Sequence, residues 1–187
     1  MKRPNLLLIF AVLLVTLLAG TLHAEPMKAG EAFPDVALSG DLTPAQKDYL
    51  GLTGEGPWTL KDVKADYVLI EVFSMYCPHC QAEAPSVNEL YDLMNASPHA
   101  GAMKIIGIGA GNSRYEVQFF KKKYAISLPL FEDTELALHT QLGQPATPHF
   151  YLVNLKNGQL QTLYSETGRM KSPEAFFAKQ KQAAGLK

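Results

Sequence analysis

The sequence predicts an α/β fold: a central mixed sheet of parallel strands plus an antiparallel hairpin strand, flanked by helices. Three observations carry this. Two apolar runs with β-branched residues, Tyr67 to Ser74 and Met103 to Ala110, have the length and composition of buried strands. Each is followed by a stretch of helical periodicity, and a strand–helix–strand order implies parallel strands covered by helices. Near the C-terminus, Asn157-Gly158 separates two strand-like pieces. That dipeptide is a strong hairpin signal, because a tight hairpin turn needs positive φ at both central residues.

The elements follow in chain order. Phe33 to Leu38 reads as an edge strand inside a tract rich in turn residues. Thr43 to Leu50 reads as a short helix, with Thr43 as N-cap and Pro44 at the first position, where a missing N–H costs nothing. Trp58 reads as packing ahead of the first buried strand. Pro78 to Asn95 is helical by pattern, with Ala82, Val87, Leu90, Tyr91 and Met94 as its apolar stripe and Pro85 as a kink. Ser113 to Tyr124 is an amphipathic helix carrying Val117, Phe119 and Phe120, and Lys121 to Lys123 form its solvated face. Leu128 to Phe131 is a short extended piece, and Thr134 to Leu142 a helix ended by Gly143. Phe150 to Leu155 and Gln159 to Tyr164 form the hairpin. Ser172 caps the last helix, with Pro173 at its first position. The chain has no internal repeat and no low-complexity segment.

Composition narrows the function classes. Of 187 residues, 47% are hydrophobic and 19% charged, which is ordinary for a globular domain. The N-terminus has Lys2 and Arg3, an apolar run from Leu6 to Ala19, then Ala24. This is the layout of a secretory signal. The run falls short of the ~18–20 residues of a confident membrane span. Cleavage after Ala24 would put Leu22 where a small residue is preferred, so a signal peptide and an uncleaved membrane anchor over residues 1–24 both fit. In either case residues 25–187 form one extracytoplasmic domain, periplasmic in a bacterium with two membranes. Without Lys2 and Arg3 the domain is mildly acidic and has no basic cluster, which argues against a nucleic-acid partner.

The two cysteines, Cys77 and Cys80, stand two residues apart in Cys77-Pro78-His79-Cys80. A bridge closing so small a loop removes little entropy from the unfolded chain, so a structural staple is the weaker explanation. Cys77 follows a buried strand and begins a helix. There, unpaired backbone N–H groups and the positive end of the helix dipole stabilise a thiolate, the attacking species. Cys80, one turn on, can reach the same sulfur and resolve a mixed disulfide. Pro78 sits at the first helical position, and His79 between the thiols would, if protonated, favour the thiolate and make the disulfide more oxidising. Zinc needs four ligands, and His139 and His149 are ten residues apart with no further cysteine. Covalent haem attachment needs His after the second Cys, where Gln81 stands. Redox chemistry without a cofactor is left as the main reading. Glu71, alone in Val-Leu-Ile-Glu-Val-Phe, is an acid inside an apolar strand, costly to bury without a purpose.

The surroundings resemble a known family. Val68 to Pro85, "VLIEVFSMYCPHCQAEAP", is similar to the active-site stretch of the thioredoxin superfamily. "GEAFPDVAL" and "WTLKDVKADYVLIEVF" resemble its TlpA/ResA-like branch of exported reductases, while the CPHC tetrad is similar to that of DsbA, an oxidase. "GQPATPHFYLV" resembles the superfamily's cis-proline loop. The resemblance runs from about Gly30 to the C-terminus. It implies a thioredoxin-like fold and a thiol–disulfide oxidoreductase. It also implies a cis Thr147-Pro148 bond beside the thiols, with the Thr147 backbone free to pair with an extended substrate. Glu71 would be the proton acceptor for Cys80, its pKa raised by burial. Tyr76 stands where many relatives carry Trp and would border the substrate, and His149 would either line the groove or hold a local hydrogen bond. The partners implied are exported proteins with thiols or disulfides, and a membrane redox protein that resets the pair. The branch suggests a reductase and the tetrad an oxidase, so direction stays open. The short region from Asn112 to Phe131 leaves no room for the helical insertion of DsbA. A copper carrier using Cys77, Cys80 and a distant His is the alternative from another class, since copper(I) favours thiolates. Carriers on this fold space their cysteines by three residues rather than two. A peroxidase fits less well still, lacking the Thr-x-x-Cys context.

Overall fold

The computed structural model describes residues 25–187; the signal peptide or anchor predicted over residues 1–24 lies outside the described residues. Five strands form one sheet: β1 (Tyr67–Phe73), β2 (Met103–Ala110), β3 (Leu130–Asp133), β4 (His149–Asn154) and β5 (Gln161–Thr167). Their spatial order is β3-β2-β1-β4-β5. β1, β2 and β3 run parallel, and β4 pairs antiparallel with both β1 and β5. β4 is thus the strand that runs against the rest. The helices are α1 (Pro44–Leu50), α2 (Pro78–Ala96), α3 (Arg114–Lys123), α4 (Ala137–Gln141) and α5 (Pro173–Ala183). This is an α/β thioredoxin-like fold.

Strand periodicity assigns the two cores, because successive side chains point to opposite faces. Leu69, Phe73, Ile105, Phe150 and Leu152 lie on one face, packed with Val87, Leu90 and Met94 of α2, Phe120 of α3 and Phe176 and Phe177 of α5. Val68, Ile70, Val72, Ile108, Tyr151 and Val153 lie on the other, under Leu50 of α1, Trp58, and Leu138 and Leu142 around α4. Every residue of β1 is buried, as a central strand covered on both faces requires.

The expected edge strand over Phe33 to Leu38 is not one. The segment from Gly30 to Ser39 crosses the second face as an irregular strap that contributes Phe33, Val36 and Leu38 to the core. At one end it bonds along the free edge of β5, through Gly30 N–H to Thr162 O at 2.8 Å and Phe33 N–H to Leu160 O at 2.8 Å. At the other, Glu132 N–H of β3 donates to Ser39 O at 2.8 Å. Pro34 has no N–H for a ladder, which disfavours a regular strand here.

Other elements keep their place with shifted edges. Thr43 and Gln46 form a reciprocal cap on α1. α2 continues through Pro85, but its buried stripe is Cys80, Glu83, Ala84, Val87, Leu90 and Met94; Ala82 is exposed and Tyr91 half-buried. On α3, Phe119 faces solvent, and Lys121 is half-buried with its Nζ donating to Gln46 Oε1 at 2.8 Å. α4 begins later than Thr134, because Leu136 takes a left-handed conformation at φ 56°. The Asp133 carboxylate then accepts from the Leu138 and His139 N–H groups at 3.1 and 2.8 Å. The β4–β5 connection is longer than a two-residue turn, although Asn157 and Gly158 both take positive φ, 59° and 71°.

Candidate active site

Cys77 is the N-cap of α2, with extended backbone at φ −81° and ψ 116°, and no side chain caps this helix. The first N–H groups of α2 therefore remain available to the Cys77 sulfur. Pro78 occupies the first turn. Cys77 is half-buried, Cys80 is fully buried, and the two are unbridged, so the structure is the dithiol form.

The two thiols are electrostatically unlike. Burial pushes the Cys77 pKa up, but hydrogen bonds from the Thr147 side chain, from the backbone and thiol of Cys80 and from the His79 backbone outweigh it and hold the thiol below its ordinary value. Its Sγ donates to the Thr147 carbonyl at 3.2 Å. Burial pushes Cys80 far up, and the neighbouring Glu71 carboxylate adds to the rise. Cys77 is thus the more readily ionised thiol of the pair, and Cys80, beneath it, keeps its proton.

Thr147-Pro148 is a cis peptide, immediately before β4. β4 lies next to β1, whose end feeds the cysteines, and this adjacency brings Thr147 to Cys77. Glu71 is 4% exposed, in β1 on the same sheet face as α2. Burial raises its pKa from 4.5 to about 8, with smaller contributions from Glu83 and Cys77.

Glu83 is a site residue missed by sequence reasoning. It is fully buried on α2, three residues beyond Cys80. Its carboxylate accepts from Arg169 Nε and from the Met170 N–H, each at 2.8 Å, while Arg169 Nη2 reaches Ala82 O at 3.0 Å. Two carboxyls are thus buried near one another beside the cysteines: among the described residues Glu71 has no cationic partner, while Glu83 is ion-paired with Arg169. The available signal was phase, since Glu83 falls on the helical face defined by Cys80, Val87 and Leu90.

The remaining predicted residues are spread around this centre. Tyr76 is 64% exposed beside Cys77 and hydrogen-bonds the Glu116 carboxylate. His79 is exposed on the first turn of α2. His149 follows Pro148 but belongs to the opposite sheet face, its ring tilted against that of Tyr151, and does not line the groove. Its Nδ1 and Nε2 meet Thr167 Oγ1 at 2.7 Å and Ser165 Oγ at 3.0 Å, and burial lowers its pKa to about 4. His99 and His139, without assigned partners in the sequence, meet the carbonyls of Lys187 and Pro145 at 2.9 Å each. Trp58 is buried, its indole N–H donating to Thr53 O at 2.9 Å. Among the described residues, no three His, Cys, Asp or Glu side chains converge as metal ligands.

Comparison with known proteins agrees with this geometry. The chain is 23% identical over 176 residues to the thiol–disulfide oxidoreductase ResA of Geobacillus thermodenitrificans, covering 89% of this chain and 91% of that one. It is 26% identical over 95 residues to ResA of Halalkalibacterium halodurans, covering 51% of this chain and 52% of that one. Among solved structures, a DsbE-type thiol:disulfide interchange protein from Chlorobium tepidum superposes with a TM-score of 0.63 at 17% identity, over 84% of this chain and 98% of that one. A secreted Mycobacterium tuberculosis disulfide oxidoreductase homologous to DsbE gives 0.56 at 18% identity, over 81% and 96%. These likenesses at low identity speak for the fold, and the curated relatives are thiol–disulfide oxidoreductases, which agrees with the Cys77–Cys80 pair of this chain. Residues 29–162, most of the chain and all of the site from Glu71 to Pro148, match the AhpC/TSA family model, and the chain belongs to that thioredoxin-like family.

Proposed function

We propose that the protein is an exported thiol–disulfide oxidoreductase that exchanges disulfides with extracytoplasmic proteins through Cys77 and Cys80. One observation carries the reading: the half-buried Cys77 thiol stands at an uncapped helix start beside the Thr147 carbonyl, one turn from the fully buried Cys80, with the buried Glu71 carboxyl on the same face of the sheet. In the reducing direction, the Cys77 thiolate attacks a substrate disulfide, forming a mixed disulfide and expelling one substrate thiolate. Glu71, in the fraction ionised near neutral pH, accepts the Cys80 proton, and the Cys80 sulfur attacks Cys77. The Cys77–Cys80 bond forms, the second substrate sulfur leaves as thiolate, and two electrons have passed to the substrate. The oxidising direction is the same path reversed. Pro148 and the Thr147 backbone hold the substrate chain, Tyr76 borders it, and Pro78 and His79 tune the potential.

The location follows the relatives and the N-terminal sequence. ResA and the secreted DsbE-like oxidoreductase support an extracytoplasmic domain over residues 25–187, delivered by a signal peptide or held by an anchor over residues 1–24. A membrane redox protein would reset the pair. The scaffold favours the TlpA/ResA-like branch, with a tetrad of DsbA type.

Equilibration of the purified domain with glutathione buffers tests this. A reversible two-electron couple is expected. A potential near about −120 mV would make the protein a disulfide donor, and one near about −270 mV a reductant. Absence of any such couple would end the redox reading.

A further inference from the structure

The loop Ser74–Met75–Tyr76 must deliver Cys77 to the start of α2, yet the N-cap of that helix is the reactive cysteine itself and no side chain closes it. Something else has to hold the loop. Asn112, fully buried at the end of β2, supplies the grip: its Oδ1 accepts the Met75 N–H at 2.8 Å, and its Nδ2 lies 3.4 Å from Ser74 Oγ. From the other side, Gln81 Nε2 donates to the Met75 carbonyl at 2.8 Å. The Met75 residue is thus clamped at both its N–H and its C=O. The Cys77 N–H donates to Ser74 O at 3.0 Å, which passes the constraint to the sulfur-bearing residue.

Asn112 is itself rigidly placed. Its N–H donates to Gly109 O at 3.0 Å, and Thr134 Oγ1 donates to its carbonyl at 3.4 Å. Gly109 makes the approach possible: a Cβ there would stand 3.1 Å from the Asn112 Cβ and 2.9 Å from Val117 Cγ2. A glycine in a strand interior is a cost that close approach of this kind explains.

We propose that Asn112, assisted by Gln81, is a positioning residue that sets the reactivity of Cys77. It acts by holding the Met75 backbone so that the sulfur meets the N–H groups of α2 and the Thr147 loop. A buried amide bonding a loop backbone is often merely structural, so the distinguishing quantity is the Cys77 thiol pKa rather than stability. The inference rests on the thiol–disulfide reading of the site.

The test is the pH dependence of iodoacetamide alkylation of Cys77 in the reduced domain, for the wild type, Asn112→Ala, Gln81→Ala and Asn88→Ala. Asn88 is the control. It ties α2 to the loop before β3 through Tyr124 O, Ala125 O and the Ser127 N–H at 3.1–3.2 Å, away from the sulfurs. Asn112→Ala is expected to raise the Cys77 pKa by about one pH unit, a roughly tenfold smaller thiolate fraction below that pKa. Gln81→Ala should move it in the same direction by a few-fold, and serves alone if Asn112→Ala does not fold. Asn88→Ala should lower the melting temperature and leave the pKa in place. If the folded Asn112 and Gln81 variants keep the wild-type pKa, the assignment is overturned while the redox reading stands. A wild-type Cys77 that titrates like a free thiol, near about 8.5, would likewise overturn the assignment, whereas absence of a reversible Cys77–Cys80 couple in glutathione buffers, measured alongside, would remove the redox reading itself.

Discussion

Replacing Glu71 with Gln should make the reduced protein more stable at alkaline pH and flatten its pH–stability curve. The reason is linkage. Glu71 is buried, and its pKa rises from 4.5 to about 8 on folding, mainly through burial. Below pH 4.5 the carboxyl is protonated in both states and costs nothing. As pH rises through the window up to about 8, the unfolded chain ionises while the folded protein holds its proton, and stability is lost. At about 1.4 kcal/mol per pH unit, a rise of this size is worth on the order of 5 kcal/mol across the whole window. The Gln amide brings its own burial cost, a constant offset of roughly 1–3 kcal/mol that does not depend on pH. The quantity to measure is therefore the difference between Glu71→Gln and wild type. It is read from urea unfolding with both thiols reduced, at half-unit steps from pH 4.5 to 8.5. That difference should grow steadily in favour of the variant by several kcal/mol. Two parallel curves would refute the reasoning, because a carboxyl with an ordinary pKa contributes no slope there.

Three further outcomes follow from the same site. In the reduced protein, alkylation at neutral pH should label Cys77 and spare Cys80, which has no exposed surface. Cys80→Ala should then trap substrate as a mixed disulfide, whereas Cys77→Ala should trap none; mass spectrometry reads both. Arg169→Ala leaves the buried Glu83 carboxylate with the Met170 N–H as its remaining partner. Because Arg169 is itself 46% exposed, the full cost of an orphaned buried charge, about 3–5 kcal/mol, is discounted to about 1–3 kcal/mol. The double variant with Glu83→Gln should recover much of it in denaturant unfolding.

The parts of the site written in local pattern were legible in the sequence. β1 is apolar from end to end except for Glu71, and that single interruption marked the residue. The cysteines announced the strand-to-helix junction by their spacing and by Pro78. Residues whose role depends on a distant partner were not legible. Glu83 has the look of a surface acid on a helix until Arg169 and Met170, more than eighty positions later, arrive at its carboxylate. Asn112 reads as a loop asparagine until the β1–α2 loop lies beside it. Ala82 was misplaced because alanine carries too little hydrophobicity to fix a helical phase, and Glu83 and Ala84 set the phase instead. Of the two readings open for His149, its neighbour Pro148 favours the groove, but strand alternation turns its ring to the far face and leaves the local hydrogen bonds. The Phe33 to Leu38 segment has the apolar content of a strand, but its backbone bonds at its ends rather than along a ladder.

The strap that begins at Gly30 touches both outer strands of the sheet, β5 at one end and β3 at the other. Open strand edges are templates for pairing with another chain. Here one short stretch near the start of the domain occupies both. A truncation that removed residues 30–39 would strip Phe33, Val36 and Leu38 from the second core and uncover the outer edges of β5 and β3 together with the apolar face between them. A shortened form would be lost first to self-association, at concentrations where the intact domain stays dispersed.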